Sequence, residues 1–313
     1  MYLKACGVTL LDKPMTRRYV CFWLSVVCAL ALCPAQAGPR VQVLSSVKPV
    51  HLVVGALAGD IIDSKLLLSA QISPHDFALR FSDLRLLQQA SVIVWLGPQF
   101  EHYLVEPLQQ RDRKKIVSLL ADHETSDKHS HDPHIWLDPL AVKDSAERIA
   151  AALIAADPGN AGSYRDKLAV FQAQLDRLHQ RIAARFEALE GSGVITTHAG
   201  LQHFLQRYQL NQAGSVYAGA NELLSLKHIE GLRRRVVRGE AHCVMLEPQY
   251  ERSKIQALFK GLDINLVEVD VLGANATSYV ALLNEVSDAV YRCVVEKTPG
   301  AHKGSGNHRA SVK

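Results

Sequence analysis

GVITTHAG, residues 193–200, is a short apolar run that stops at a histidine. Val194, Ile195, Thr196 and Thr197 suit a strand covered on both faces, because β-branched side chains fill a pleated surface and no polar alternation marks a solvent side. Ala199, Gly200 and the periodic LQHFLQRY that follows suit a turn into a helix. His198 therefore stands at the carboxyl end of a predicted strand. In open α/β sheets that edge is where ligands bind, since the loops there leave a crevice free of crossover helices.

Three more potential ligands occupy comparable positions. Asp270 ends the run INLVEV and precedes Leu272 and Gly273. His75 lies in SPHD, beyond the apolar run KLLLSA, with Pro74 enforcing an extended approach. His134 lies in DPHIWLDP and opens a short apolar segment bounded by prolines. Three imidazoles and one carboxylate supply the donors that a single tetrahedral zinc ion needs. The chain carries fourteen histidines, however, and a histidine is more often solvated or satisfied in a core than a ligand. Spacing alone leaves a shared site open. His102, beside Glu101 in GPQFEHY, is read as a solvated residue at a helix start rather than as a ligand.

Residues 1–37 read as an export signal: Arg17 and Arg18 precede the apolar run from Val20 to Leu32, and Ala35-Gln36-Ala37 is a small-residue cleavage site. The run is shorter than the ~20 residues that span a bilayer. Lys4, Lys13, Arg17 and Arg18 against Asp12 carry +3 of the net charge of +4, and Lys297, Lys303, Arg309 and Lys313 add +4 in a tail without acids, which leaves −3 for the rest of the chain. The body between is mildly acidic, so the basic balance is no argument for nucleic acid. Of six cysteines, four leave with the signal. Cys243 and Cys293 remain, and two cysteines in an exported chain most simply form a disulfide. The competing idea, a thiolate metal site, lacks a CxxC spacing.

From Val41 the chain alternates apolar runs with helical patterns. VQVLSSV, KLLLSA and SVIVWLG are predicted strands, with a helix from Pro49 to Asp60 and a second, SDLRLLQQA, capped by Ser82. Such alternation implies a parallel sheet with helices on both faces. DHETSDKHSHD, residues 122–132, has no apolar residue and reads as an exposed loop, whose His123, His129 and His131 could hold a divalent cation weakly. A helix follows from Pro139 to Ala156. From Asn160 to Glu190, Leu168, Phe171, Leu175, Leu178, Ile182, Phe186 and Leu189 form one apolar stripe on a helix of ~45 Å. The second half repeats the first: GVITTHAG, AHCVMLEPQ and INLVEVD as strands, helices to Gln209, over 223–237 and from Thr277 to Val295. Arg233, Arg234, Arg235 and Arg238 read as solvated. The predicted organisation is a signal at 1–37, an α/β lobe at 38–158, a linking helix at 159–190, a second α/β lobe at 191–297 and a disordered tail at 298–313.

SPHD, DPHIWLDP, TTHAG, CVMLEPQ and VDVLG, in this order, resemble the periplasmic solute-binding proteins of high-affinity zinc ABC importers, the ZnuA-like members of the cluster A-I metal-binding proteins. The resemblance runs from Val41 to Val295. It implies two α/β lobes, each with a mostly parallel sheet flanked by helices, joined by one long helix with the metal in the cleft between them. It implies His75 and His134 as ligands from the first lobe, His198 and Asp270 from the second, and a disulfide between Cys243 and Cys293. Two departures stand out: Pro74 replaces a glutamate that some zinc members carry, and the histidine-bearing loop is short. Manganese-type relatives have a glutamate where this chain has His198.

Three imidazoles and one carboxylate favour Zn2+ over manganese, whose sites are richer in oxygen. Asp76 and Asp138 are candidates to orient the imidazoles through their second nitrogens, or else to cap turns. The expected function is capture of Zn2+, as cargo rather than catalytic cofactor, in the periplasm and its delivery by a monomer to a cognate ABC permease in the inner membrane. The alternatives are a manganese, iron or other divalent-metal binder of the same family and a secreted zinc hydrolase. HExxH is absent, which counts against the hydrolase.

Overall fold

The computed structural model describes residues 40–72, 77–120, 132–217 and 223–295. The predicted signal, His75 with the rest of SPHD, the loop carrying His123, His129 and His131, and the tail lie outside the described residues. In chain order the elements are β1 (Gln42–Ser45), α1 (Lys48–Ala58), β2 (Asp63–Leu66), α2 (Phe81–Gln89), β3 (Val92–Trp95), α3 (His102–Gln109), β4 (Ile116–Ser118), α4 (Pro139–Ala156) and α5 (Ala161–Phe186). There follow β5 (Gly193–Thr196), α6 (Gln202–Arg207), β6 (Asn211–Ser215), α7 (Leu226–Val237), β7 (Cys243–Leu246), α8 (Arg252–Leu258), β8 (Asn265–Glu268) and α9 (Tyr279–Val295).

The strands form two sheets of four, ordered β2-β1-β3-β4 and β6-β5-β7-β8, and every pairing is parallel. The inner strands β3 and β7 are buried at each position, which is why VIVW and CVML show no polar alternation. In each sheet the chain pairs its second strand on one side of the first and its third on the other. That reversal creates a switch point, between β1 and β3 in one lobe and between β5 and β7 in the other, where the loops part at the carboxyl edge.

The linking helix α5 spans 26 residues, about 39 Å at 1.5 Å per residue. Phe171, Leu175, Leu178, Ile182 and Phe186 are buried along one face, and Leu168 and Leu189 pack at its margins. One apolar core runs from Val43 and Val94 of the first sheet through this stripe to Val194, Met245 and Tyr279 of the second lobe. Each lobe keeps a smaller core on its outer face. The two lobes therefore share packed interior, an arrangement that resists hinge bending.

Three elements have weak sequence signals. β4 is three residues long, β6 is the polar edge strand NQAGS, and α8 has seven residues. Helix α2 starts two residues earlier than the Ser82 cap implies, because Arg80 is the cap residue and the Asp83 carboxylate accepts its backbone N–H at 2.8 Å. The arginines of α7 are not simply solvated: Arg233 donates to the carbonyls of Leu258 and Lys260, Arg235 to that of Ala213, and Arg238 pairs with Glu240. Cys243 and Cys293 form a disulfide that ties β7 to α9 across a Cα separation of 5.4 Å. Closing a loop of 50 residues contributes about 4 kcal/mol by restricting the unfolded chain.

Candidate metal centre

His198 lies two residues beyond β5, at the switch point of the second sheet, and is 8% exposed. His134 precedes the 3-10 turn Ile135–Leu137 of the first lobe and is 5% exposed. Sixty-four residues apart, their Nε2 atoms face each other at 3.2 Å. Two nitrogens bound to one ion at ~2.0–2.1 Å and a tetrahedral angle stand roughly 3.3 Å apart, so this spacing is that of a shared zinc ion.

Each second nitrogen is committed to a carboxylate. His134 Nδ1 donates to Asp132 Oδ1 at 2.5 Å, and His198 Nδ1 donates to Glu247 Oε1 at 2.5 Å. These bonds select the tautomers that turn both Nε2 lone pairs toward one point. Both acids are themselves shielded, with side-chain exposures of 3% and 4%. Burial opposes the charged form of His198, but the hydrogen bond and charge of Glu247, with the charge of Asp132, outweigh it and hold the imidazole above its ordinary range. Burial likewise favours neutral Asp132, and the charge and hydrogen bond of His134, with the charge of His203, overcome this and keep its carboxyl low.

The walls are apolar and fixed. Phe100 meets His134 edge-on at 5.4 Å, Trp136 lies 4.9 Å from the His134 ring, and Tyr250 lies 6.2 Å from that of His198. Trp136 Nε1 donates to the Val271 carbonyl at 2.8 Å, and the Tyr279 hydroxyl donates to the Trp136 carbonyl at 2.8 Å. His203 Nε2 donates to the Asp132 carbonyl at 2.8 Å. The segment bearing His134 is thus bound to the opposite lobe by three hydrogen bonds. A Cβ on Gly200 would stand 2.5 Å from His198 Nε2 and 3.2 Å from His134 Nε2. Only glycine leaves that space clear.

Of the four expected ligands, the structure brings His134 and His198 together; His75 lies outside the described residues. Asp270 follows β8, half buried, and its carboxylate holds its own turn: Oδ1 accepts from the N–H groups of Leu272 and Gly273, Oδ2 from Ala274. Oδ2 accepts one hydrogen bond and so retains a lone pair. Among the described residues no three His, Cys, Asp or Glu gather as a metal-binding group. Asp138 does not orient an imidazole. It caps α4 through the Leu140 N–H and pairs with Arg207 across the lobes, Nε to Oδ1 at 2.9 Å. The orienting role belongs to Asp132, read from sequence as the end of a solvated loop, and to Glu247, the first residue after β7. An acid two residues before one histidine, and another just after the strand paired with the one that precedes the second, is the signal that could have found them. His102 is exposed and its ring lies 3.2 Å from the Pro98 carbonyl, away from the pair.

A family model, zinc-uptake complex component A, periplasmic, matches residues 43–293. The high-affinity zinc uptake system protein ZnuA of Haemophilus ducreyi is 26% identical over 305 residues, covering 86% of this chain and 98% of its own length. Its counterpart of the same name from Yersinia pestis is 26% identical over 288 residues, covering 80% and 91%. A crystal structure of ZnuA superposes with a TM-score of 0.72 at 23% identity, covering 82% of this chain and 99% of its own. The periplasmic zinc binding protein TroA from Treponema pallidum does so at 0.72 and 18% identity, covering 83% and 100%. Both structures share the two-lobed fold with its linking helix. With the family model matched from β1 to the disulfide in α9, the chain belongs to the zinc-uptake complex component A family.

Proposed function

We propose that this chain is exported to the periplasm, captures one Zn2+ between its lobes with His75, His134, His198 and Asp270, and hands it to the permease of an ABC importer in the inner membrane. The observation that carries this reading is the facing pair of Nε2 atoms, 3.2 Å apart, with each Nδ1 held by a buried carboxylate. Imidazole nitrogens of fixed tautomer suit zinc better than manganese. Family membership supports transport rather than catalysis, and Zn2+ is the cargo. Removal of residues 1–37 and action as a monomer complete the proposal, and no nucleic-acid partner is part of it.

On binding, zinc replaces the proton that competes for Nε2, while Asp132 and Glu247 take up the charge passed to the imidazoles. The apolar wall keeps water from competing for the ion. Because the His134 segment is strapped to the second lobe, release requires displacement of a loop ligand or of the strap, not a free swing of the lobes. Competitive zinc titration of the mature protein and of His75→Ala, His134→Ala, His198→Ala and Asp270→Ala tests the assignment. One tight equivalent is expected in the parent and weakened binding in each variant. Undiminished affinity in the His134 and His198 variants would refute the site.

A further inference from the structure

His198 and Glu247 occupy the switch point of the second sheet, beyond β5 and β7. The first sheet repeats the topology, and its switch point, beyond β1 and β3, carries an acid that zinc capture does not use. Glu101 is wholly buried. Its Oε2 accepts the backbone N–H groups of Leu96 at 2.7 Å and Gly97 at 3.1 Å, and its Oε1 has no hydrogen-bond partner. Three more buried polar atoms without a partner lie on the same face of this edge: Ser46 Oγ, Trp95 Nε1 and the Tyr103 hydroxyl. Trp95 and Tyr103 belong to the outer core of that face with Leu44 and Ile93, and strand alternation puts Ser46 there too. Buried polar groups in native folds nearly all have a partner, protein or internal water, so these four call for an occupant.

Their chemistry selects it. An indole N–H only donates, which repels a cation, while the carboxyl and hydroxyl lone pairs oppose an anion. Water offers two hydrogens and two lone pairs, so it suits donors and acceptors alike. Burial pushes the Glu101 carboxyl up to about 7, against the nearby Ser46 hydroxyl and the backbone N–H groups of Gly97 and Leu96, which favour the anion, so below that pH it is mostly protonated and can donate as well. The titratable group facing it is Tyr103, whose hydroxyl burial first and Glu101 second hold strongly protonated.

Phe100, next to Glu101, packs on both His134 at 5.4 Å and Trp136 at 5.5 Å. We propose that Glu101 is a positioning residue: through internal water shared with Ser46, Trp95 and Tyr103 it fixes the turn from Leu96 to Glu101 and holds the Phe100 ring against His134. This rests on the zinc reading of the His134–His198 pair.

Zinc titration of the mature protein at about pH 6.5, where the acid is mostly neutral, tests it. Glu101→Gln keeps the acceptor and the donor and should bind within about twofold of the parent, whereas Glu101→Ala should weaken binding roughly tenfold, as loss of a supporting hydrogen bond does at metal sites. Parent-like binding by a folded Glu101→Ala would overturn the inference. So would equal losses in both variants with unchanged melting, since the anion would then be what matters. A crystal structure that orders internal solvent is the second arm and needs no variant to fold. Water bonded to Oε1 and to at least one of the other three groups is expected, and a dry or directly paired cluster would overturn the inference. Failure of the parent to bind zinc would instead sink the proposed function.

Discussion

Glu247→Gln removes a charge while leaving an oxygen in place to accept the His198 Nδ1 proton, so it isolates the electrostatic part of a 2.5 Å contact. Two effects of opposite sign follow. A neutral partner makes the imidazole a poorer donor to zinc, and loss of such a supporting group costs roughly 10–100-fold in affinity, or about 1.4–2.7 kcal/mol. The same charge, however, raises the affinity of His198 for the proton that zinc must displace. In the parent, competition therefore begins above the ordinary histidine range as pH falls; in the variant, where burial is less opposed, it begins lower. Below the parent's titration each pH unit removes up to ~tenfold of the parent's advantage. Competitive titrations from about pH 8 to about pH 5.5 should show the full deficit at the alkaline end and a narrowing gap toward acid. A deficit that is constant, or that widens as pH falls, would refute this role for Glu247.

Gly200→Ala should abolish tight zinc binding while costing only about 1–3 kcal/mol of stability through overpacking, so the protein stays folded. Its backbone is not in the left-handed region that disfavours alanine, so the methyl acts only by standing 2.5 Å from His198 Nε2; titration beside thermal melts checks this. Trp136→Phe leaves the Val271 carbonyl without its 2.8 Å donor and should cost about 1–3 kcal/mol in urea unfolding. The pH dependence of stability should report Glu101. Its carboxyl titrates near 7 when folded against an ordinary 4.5, so the folded state holds the extra proton and stability falls as pH rises between those values, by about 3 kcal/mol at roughly 1.4 kcal/mol per pH unit. Glu101→Gln should flatten that slope in urea titrations across the same window.

Much of the fold was legible because its inner strands are uninterrupted apolar runs. VIVW, GVIT and CVML are short, rich in aliphatic and β-branched residues and bounded by turn signals, which favours strands buried on both faces. The stripe from Phe171 to Phe186 has too few heptads for a coiled coil and so read as a long packed helix. β6 was not legible, since Asn211 and Gln212 at a sheet edge look like a turn. In the site, a histidine that ends a strand announces itself, which is how His198 was found. Asp132 did not, because it closes a tract without apolar residues, yet its side chain is only 3% exposed where it meets His134, and His203 bonds its carbonyl. Asp138 left two roles open, orienting an imidazole or capping a turn; the structure realises the cap, and Arg207, 69 residues away, pairs with the same carboxylate. Partners that arrive from the other lobe leave no local trace.

The most direct measurement is an anomalous-scattering map at the zinc edge from crystals of the mature protein soaked with one equivalent of Zn2+. A single strong peak is expected about 2.0–2.1 Å from Nε2 of both His134 and His198, with His75 and Asp270 completing the shell. Zinc found only at His123, His129 and His131, with no density between the two facing imidazoles, would contradict capture between the lobes.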